Sequence, residues 1–147
     1  MEELVRTQQL LGEAYESLRQ TTVLIVGVGG VGSHAAEALA RMGLGQLILV
    51  DFDELAASNS NRHVQSLANR VGQNKAQAMK DHILAVLPEA RVEVLPLRYS
   101  PETEAEIFSK KVDVVIDAID IMTNKLQLIQ ACLDRRIPFI SSMGMGS

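Results

Sequence analysis

The stretch that decides the fold is TVLIVGVGGVG, residues 22–32. Its first five residues are apolar or β-branched, which is typical of a buried β-strand. The next six satisfy the pattern G-x-G-x-x-G, which joins a strand to a helix in nucleotide-binding α/β domains. The loop contains four glycines: Gly27, Gly29, Gly30 and Gly32.

Each spacing in this glycine loop has a physical reason. Gly27 permits a tight turn, Gly29 lets the backbone approach a phosphate, and Gly32 lets the helix pack closely on the strand. The N-terminus of the following helix offers unpaired N–H groups to a phosphate oxygen. Asp51, with Asp53 two residues later, ends the second strand at the distance where an acid accepts ribose hydroxyls. These residues predict a nucleotide site, and by themselves they favour NAD.

The rest of the chain alternates strands and helices. Strands are predicted at 22–26, 47–50, 91–97, 112–116 and 137–142, most of them rich in apolar residues and the third alternating in polarity. Helices are predicted at 31–42, 73–87 and 124–134, with a short one after Pro101. Strands that are apolar on both faces require covering on both sides. We therefore predict one α/β domain over residues 1–147: a Rossmann-like, doubly wound, mainly parallel sheet with helices on both faces.

An amphipathic helix is predicted ahead of the first strand. Leu10, Leu11, Ala14 and Leu18 recur at helical spacing, so we expect this helix to lie against the core. The last strand runs directly into Ser147, where a ligand-binding loop usually follows. We therefore expect a chain truncated at its C-terminus, which would weaken nucleotide binding and activity.

The composition excludes several classes of protein. Apolar residues make up 47% and charged residues 22% of the 147, as in an ordinary globular domain. A net charge of -4 gives no basic field for nucleic acid, so an RNA substrate would need a local patch. No apolar stretch reaches the length of a membrane span. The single cysteine, Cys132, lies in an apolar helical pattern and is predicted to be core, which favours a reducing, cytoplasmic setting.

Polar residues beyond the second strand favour ATP chemistry over hydride transfer. Asn59 and Arg62 lie in the loop after Asp51, and Lys75 begins the next helix, so all three can border the same crevice. A hydride-transferring enzyme has no need of two cations there. Attack on the α-phosphate of ATP does need such cations, because negative charge builds up on the phosphoryl oxygens. Asp120, just beyond the fourth strand, is suitably located to hold Mg²⁺.

These residues resemble the adenylation fold shared by ubiquitin-activating enzymes and the bacterial enzymes that adenylate sulfur-carrier proteins. The resemblance covers the whole chain. It implies that ATP is surrounded by the glycine loop, Asp51, Asn59, Arg62 and Lys75, with Mg²⁺ on Asp120. It also implies a homodimer in which Arg6 reaches the phosphates from the partner subunit. On this basis Arg6, Asn59, Arg62 and Lys75 are the predicted catalytic residues.

Within that family the chain looks most like the tRNA threonylcarbamoyladenosine dehydratase branch. The segments that carry this likeness are GGVGS at 29–33, AAEALAR at 35–41, N-x-N-R at 59–62 and VIDAID at 115–120. The branch implies adenylation of the modified adenosine's carboxylate near the tRNA anticodon. An amide nitrogen of the threonyl side then closes a ring with loss of AMP.

Two other functions remain open from the sequence. One is an adenylating activator of a ubiquitin-like sulfur-carrier protein of the thiamine or molybdopterin type, whose partner presents a flexible Gly-Gly tail. The other is an NAD-binding Rossmann protein, either a dehydrogenase or a redox sensor.

Overall fold

The computed structural model describes residues 12–55 and 72–142, which form one parallel sheet with helices on both faces. Residues 12–19 form the described part of helix α1. The remaining elements, in chain order, are β1 (Thr22–Val26), α2 (Gly30–Arg41), β2 (Gln46–Val50), α3 (Lys75–Val86), β3 (Val92–Leu95), α4 (Glu104–Ile107), β4 (Val114–Asp117), α5 (Met122–Arg135) and β5 (Phe139–Ser141).

The strand order is β3-β2-β1-β4-β5, and every neighbouring pair is parallel. In the register, Val26 lies between Val50 of β2 and Asp117 of β4, so these three strands end side by side. From β1 the chain moves outward through β2 to β3, and it then returns to β4 on the other side of β1. The order therefore reverses between β1 and β4, which is where open α/β sheets bind ligands.

Alternate residues of the central strands supply two separate cores. Val23 and Ile25 of β1 face α2 and α3, where Ala36 and Met79 complete a fully apolar layer. Leu24 of β1 faces the opposite way. That second layer also contains Val26, Ile48, Val50, Ile107, Val115, Leu128 and Cys132. Burial of each large aliphatic side chain contributes roughly 1.5–3 kcal/mol, so both faces stabilise the sheet. The predicted doubly wound fold is confirmed.

The N-terminal helix is present, but it packs less than expected. Over residues 12–19, Leu18 is half-buried and every other residue is exposed, Ala14 included. The ring of Tyr15 covers Gly43, where a side chain would contact it at 3.1 Å. The expectation that this helix lies against the core is therefore wrong over residues 12–19 apart from Leu18, whereas Leu10 and Leu11 lie outside the described residues. None of the helices in 12–55 and 72–142 is long and apolar enough to cross a membrane.

Candidate functional site

The glycine loop forms a sharp turn at the carboxyl end of β1, between the ends of β2 and β4. Gly27 has a φ of 99°, a left-handed conformation that glycine adopts without strain. Its N–H donates to the Val50 carbonyl at 2.8 Å. On the other side, a Cβ on Gly27 would be 2.5 Å from the Ala118 carbonyl oxygen. The turn is thus closely packed between both neighbouring strand ends, and only glycine fits there.

The other glycines of the loop divide into one closed and one open position. A Cβ on Gly32 would overlap the Gly27 carbonyl, so Gly32 is required for α2 to start against the turn. A Cβ on Gly29 would meet nothing within 4 Å. Gly29 is also the N-cap of α2, and no side chain caps that end, while Gly30 is the first, exposed residue of the helix. Backbone N–H groups at this helix start are therefore accessible to an anion.

Asp51 is held rigidly at the end of β2 by backbone groups. Its Oδ2 accepts a hydrogen bond from Val28 N–H at 2.6 Å, and its Oδ1 accepts one from Asp53 N–H at 2.8 Å. Burial raises the pKa of the Asp51 carboxyl, while the two N–H donors and then Lys75 act in the opposite direction. Each carboxylate oxygen keeps a second lone pair, so this acid can still accept ribose hydroxyls.

The start of α3 is tied to the loop that follows β2. Asn74 caps the helix by accepting from Gln77 N–H at 3.1 Å, and its Nδ2 donates to the Asp51 carbonyl at 2.8 Å. Lys75 N–H donates to the Asp53 carbonyl, also at 2.8 Å. The Lys75 side chain is half-buried and the Asp53 side chain is exposed. These bonds bring Lys75 to the same edge of the sheet as Asp51.

Asp120 lies in the β4–α5 turn, formed by residues 118–121, and its side chain is exposed. Among the described residues no hydrogen bond or ion pair holds its carboxylate. The turn abuts the glycine loop, because Ala118 N–H donates to the Val26 carbonyl at 2.9 Å. Asp120 is therefore an available carboxylate on the β4 side of the glycine turn.

The donor set around Asp120 fits Mg²⁺ rather than a metal enclosed by protein. Within the described ranges, no three His, Cys, Asp or Glu side chains gather where they could hold one ion. Mg²⁺ characteristically takes one or two protein carboxylates and completes its octahedron with water and substrate phosphates. Among the described residues, the exposed Asp120 carboxylate beside the glycine turn would meet that requirement if phosphate groups bind at the turn.

Three predicted site residues lie outside the described residues: Arg6, Asn59 and Arg62. The described residues bring together Gly27, Gly29, Gly30, Gly32, Asp51, Asp53, Lys75 and Asp120 at one edge of the sheet. Their roles toward a ligand stay predictions. Cys132 is fully buried, and burial raises the pKa of its thiol to about 11, so it is a core residue as expected.

A buried ion pair at the ends of β4 and β5 was not anticipated from the sequence. Lys125 Nζ lies 3.0 Å from Asp117 Oδ2, and both side chains are almost completely buried. The same oxygen accepts from Ser141 Oγ at 2.7 Å. A signal was available: Lys125 precedes the buried Leu128 and Cys132 by three and seven residues, a helical spacing that assigns the lysine to the buried face of α5.

The sequence profile of the ThiF family matches residues 2–147. The chain belongs to the ThiF family. This confirms the resemblance to an adenylation family that the glycine loop and its neighbouring polar residues suggested.

Individual ThiF-family relatives cover nearly all of this chain. The tRNA threonylcarbamoyladenosine dehydratase of Bacillus subtilis is 47% identical over 132 residues, 90% of this chain and 52% of that protein. The molybdopterin-synthase adenylyltransferase of Haemophilus influenzae is 33% identical, over 88% of this chain and 53% of that protein. This chain thus spans about half the length of the curated relatives it matches.

A solved ThiF-family structure is also similar in fold. The crystal structure of E. coli tRNA N6-threonylcarbamoyladenosine dehydratase in complex with ATP superposes with a TM-score of 0.82 at 39% identity. The match covers 88% of this chain and 53% of that one.

Proposed function

We propose that residues 1–147 form the single nucleotide-binding domain of an ATP-dependent adenylating enzyme, a tRNA threonylcarbamoyladenosine dehydratase. The observation that carries the proposal is the exposed Asp120 carboxylate beside the glycine turn, which no hydrogen bond or ion pair of the described residues holds. A second carboxylate next to a bound pyrophosphate would repel it. A divalent cation between the Asp120 carboxylate and the phosphates would turn this repulsion into an attraction. ATP binds together with Mg²⁺, whereas NAD needs no metal ion, so the carboxylate favours ATP.

The described residues on the two sides of the glycine turn would bind different parts of the nucleotide. The glycine turn and the start of α2 would bind phosphate oxygens, and Asp51 would accept the ribose hydroxyls. Asp120 would hold Mg²⁺, which when bound would neutralise charge on the phosphates. Lys75 would supply a point charge from the start of α3. Asp53 belongs to the same proposed nucleotide site.

Three further residues complete the proposed catalytic set. Asn59 would donate to a non-bridging phosphate oxygen, and the Arg62 guanidinium would fork across two such oxygens. Arg6 would come from the partner subunit of a homodimer. The proposed setting is the cytoplasm.

The proposed reaction begins when a carboxylate oxygen of the modified adenosine attacks the α-phosphate of ATP and pyrophosphate leaves. An amide nitrogen of the same side chain then attacks the activated carbonyl carbon, and AMP leaves with the carboxyl oxygen. Water is lost from the nucleoside overall. This substrate is supported by the 47% identity to the Bacillus subtilis dehydratase.

A second candidate is an adenylating activator of a ubiquitin-like carrier protein. It is supported by the 33% identity to a molybdopterin-synthase adenylyltransferase. In that case the C-terminal carboxylate of the carrier would attack the α-phosphate, and the ring closure would not occur.

Ligand-induced stabilisation tests the nucleotide. A ligand at a hundredfold over its dissociation constant adds about 2.7 kcal/mol to the stability of the folded state. We expect ATP with Mg²⁺ to raise the melting temperature, and NAD at the same concentration to raise it less. A larger shift with NAD would contradict ATP-dependent chemistry.

Mass spectrometry of a tRNA substrate tests the reaction. The protein is incubated with ATP, Mg²⁺ and tRNA that carries threonylcarbamoyladenosine, and the nucleosides are then analysed. We expect the modified nucleoside to lose the mass of one water, with unmodified tRNA as the control. ATP–pyrophosphate exchange that responds to a Gly-Gly-tailed carrier protein and not to this tRNA would favour the second candidate.

A further inference from the structure

The Lys125–Asp117 ion pair joins three elements at the ligand-binding edge of the sheet. Besides Asp117, the Lys125 ammonium donates to the Ser142 carbonyl at 2.6 Å, just beyond the end of β5. Its own helix, α5, begins directly after the turn that bears Asp120. One side chain therefore fixes the end of β4, the exit of β5 and the start of α5 together.

Asp117 also holds the backbone of the β4–α5 turn that bears Asp120. Its Oδ2 accepts from Lys125 and Ser141, while its Oδ1 accepts from Ile119 N–H at 3.0 Å. Ile119 immediately precedes Asp120. The backbone next to the candidate metal carboxylate is thus oriented by a side chain that is itself locked by a buried ammonium.

A pair this deeply buried is costly to make, which argues for a role beyond holding the fold. Removing two charges from water carries a desolvation penalty that mutual attraction only partly offsets, and an apolar pair of similar volume is often as stable. Meanwhile no hydrogen bond or ion pair of the described residues holds the Asp120 side chain. Within the described part of the chain, its position is therefore set through the backbone of its turn.

We propose that Lys125 and Asp117 are positioning residues that aim the Asp120 carboxylate at a cation beside the glycine turn. The inference rests on the proposed function, because it assigns the ion pair to the same nucleotide site. Polar groups that orient a metal ligand in this way commonly change metal affinity by about 10- to 100-fold when they are removed.

The first measurement needs no ligand. Amide hydrogen exchange is compared between the wild-type protein and Lys125→Met, which keeps the length of the side chain and removes its charge. We expect exchange at residues 118–121 to accelerate about tenfold, since the Ile119 hydrogen bond loses its anchored acceptor. Lys110→Met is the matched control, because Lys110 forms an ion pair with Glu93 that is only half-buried, in contrast to the fully buried Lys125 pair. Unchanged exchange in the turn of Lys125→Met would overturn the proposal.

The second measurement concerns the Mg²⁺ enhancement, defined as the dissociation constant of ATP in EDTA divided by that in Mg²⁺. We expect Lys125→Met to lower this enhancement about tenfold while ATP affinity in EDTA stays close to wild type. The milder Ser141→Ala removes one hydrogen bond to Asp117, and we expect it to lower the enhancement about threefold. Ser141→Ala also keeps the test decisive if Lys125→Met does not fold.

A double-variant cycle separates positioning from general destabilisation. If Lys125 and Ser141 act through Asp120, each substitution weakens ATP binding in Mg²⁺ in the wild-type background, and neither weakens it further once Asp120 is alanine. Equal losses with and without Asp120 would overturn the proposal. If the wild-type protein shows no Mg²⁺-dependent ATP binding, the proposed function fails and the inference fails with it. If the wild-type protein and Asp120→Ala behave as proposed and only the Lys125 and Ser141 variants do not, the inference alone fails.

Discussion

The two acids that flank the glycine turn, Asp51 and Asp120, are held in opposite ways. Asp51, on the β2 side, accepts two backbone N–H groups and is half-buried. Asp120, on the β4 side, is exposed and makes no contact of its own among the described residues, while its turn rests on a buried ion pair. An acid fixed in the unbound protein suits a neutral hydroxyl partner, whereas a free acid suits a cation that arrives with the ligand. The predictions below test that division.

The largest effect is expected from the glycine that closes the turn. Gly32→Ala places a methyl group on the Gly27 carbonyl, so the turn or α2 must shift. We expect the free energy of unfolding to fall by about 3 kcal/mol, as in severe overpacking. Urea denaturation measures this.

Gly29→Ala is the matched control for the closed position, since its methyl group meets nothing within 4 Å. We expect its stability to fall by only about 1 kcal/mol, because alanine is a poorer N-cap than glycine but meets no atom there. Its ATP affinity should nevertheless fall, because the methyl group occupies the space proposed for a phosphate. Equal stability of the two alanine variants would refute the close packing of the turn.

Removing the fixed acid should affect both stability and binding. In Asp51→Ala the N–H groups of Val28 and Asp53 lose a charged acceptor, which is worth about 2 kcal/mol of stability. ATP should also bind more weakly, because a ribose acceptor is gone. Denaturation and calorimetric titration measure the two effects. Asp134→Ala is the control, because Asp134 is an exposed acid on α5 whose only partner among the described residues is Gln130. This variant should change neither the stability nor the ATP affinity.

Removing the free acid should affect binding alone. Asp120→Ala deletes an exposed, uncontacted carboxylate, so we expect stability within about 0.5 kcal/mol of wild type. The Mg²⁺ enhancement of ATP binding should disappear, while binding in EDTA should persist or improve slightly because a like charge is removed. A clear loss of stability in this variant would show that Asp120 has a structural role and would end the contrast with Asp51.

The smallest effect is a pH dependence of stability on the β2 side. Because burial raises the folded-state pKa of Asp51, the folded protein binds that proton more tightly than the unfolded chain. The stability gained from this proton is present at low pH and is lost as pH rises from about 4 through the folded-state value. Asp51→Asn does not titrate, so its stability relative to wild type should improve across that window. Urea denaturation at several pH values tests this, and a relative decline of the variant would reverse the sign.

The contrast also explains what the sequence could predict. The glycine loop and Asp51 were predictable because a nucleotide-binding turn of this pattern and its acid have a fixed spacing. The strands and helices of the described residues were anticipated to within a few residues. The ion pair was missed because the apolar residues 114–116 suggested that β4 ends before Asp117. Asp117 and Lys125 are eight positions apart in the sequence and lie on different elements. Predicting that they meet requires knowing which faces of β4 and α5 are buried. The packing of residues 12–19 was misjudged because periodicity gives an apolar face of a helix but not the element that covers it.

A crystal structure of this protein with ATP and Mg²⁺ tests the proposed nucleotide site most directly. We expect a triphosphate on the glycine turn with the ribose on Asp51. We also expect an Asp120 carboxylate oxygen to be a ligand of the Mg²⁺ that accompanies the phosphates. A nucleotide bound elsewhere, or a metal in the crevice that leaves Asp120 without a ligand, would contradict it.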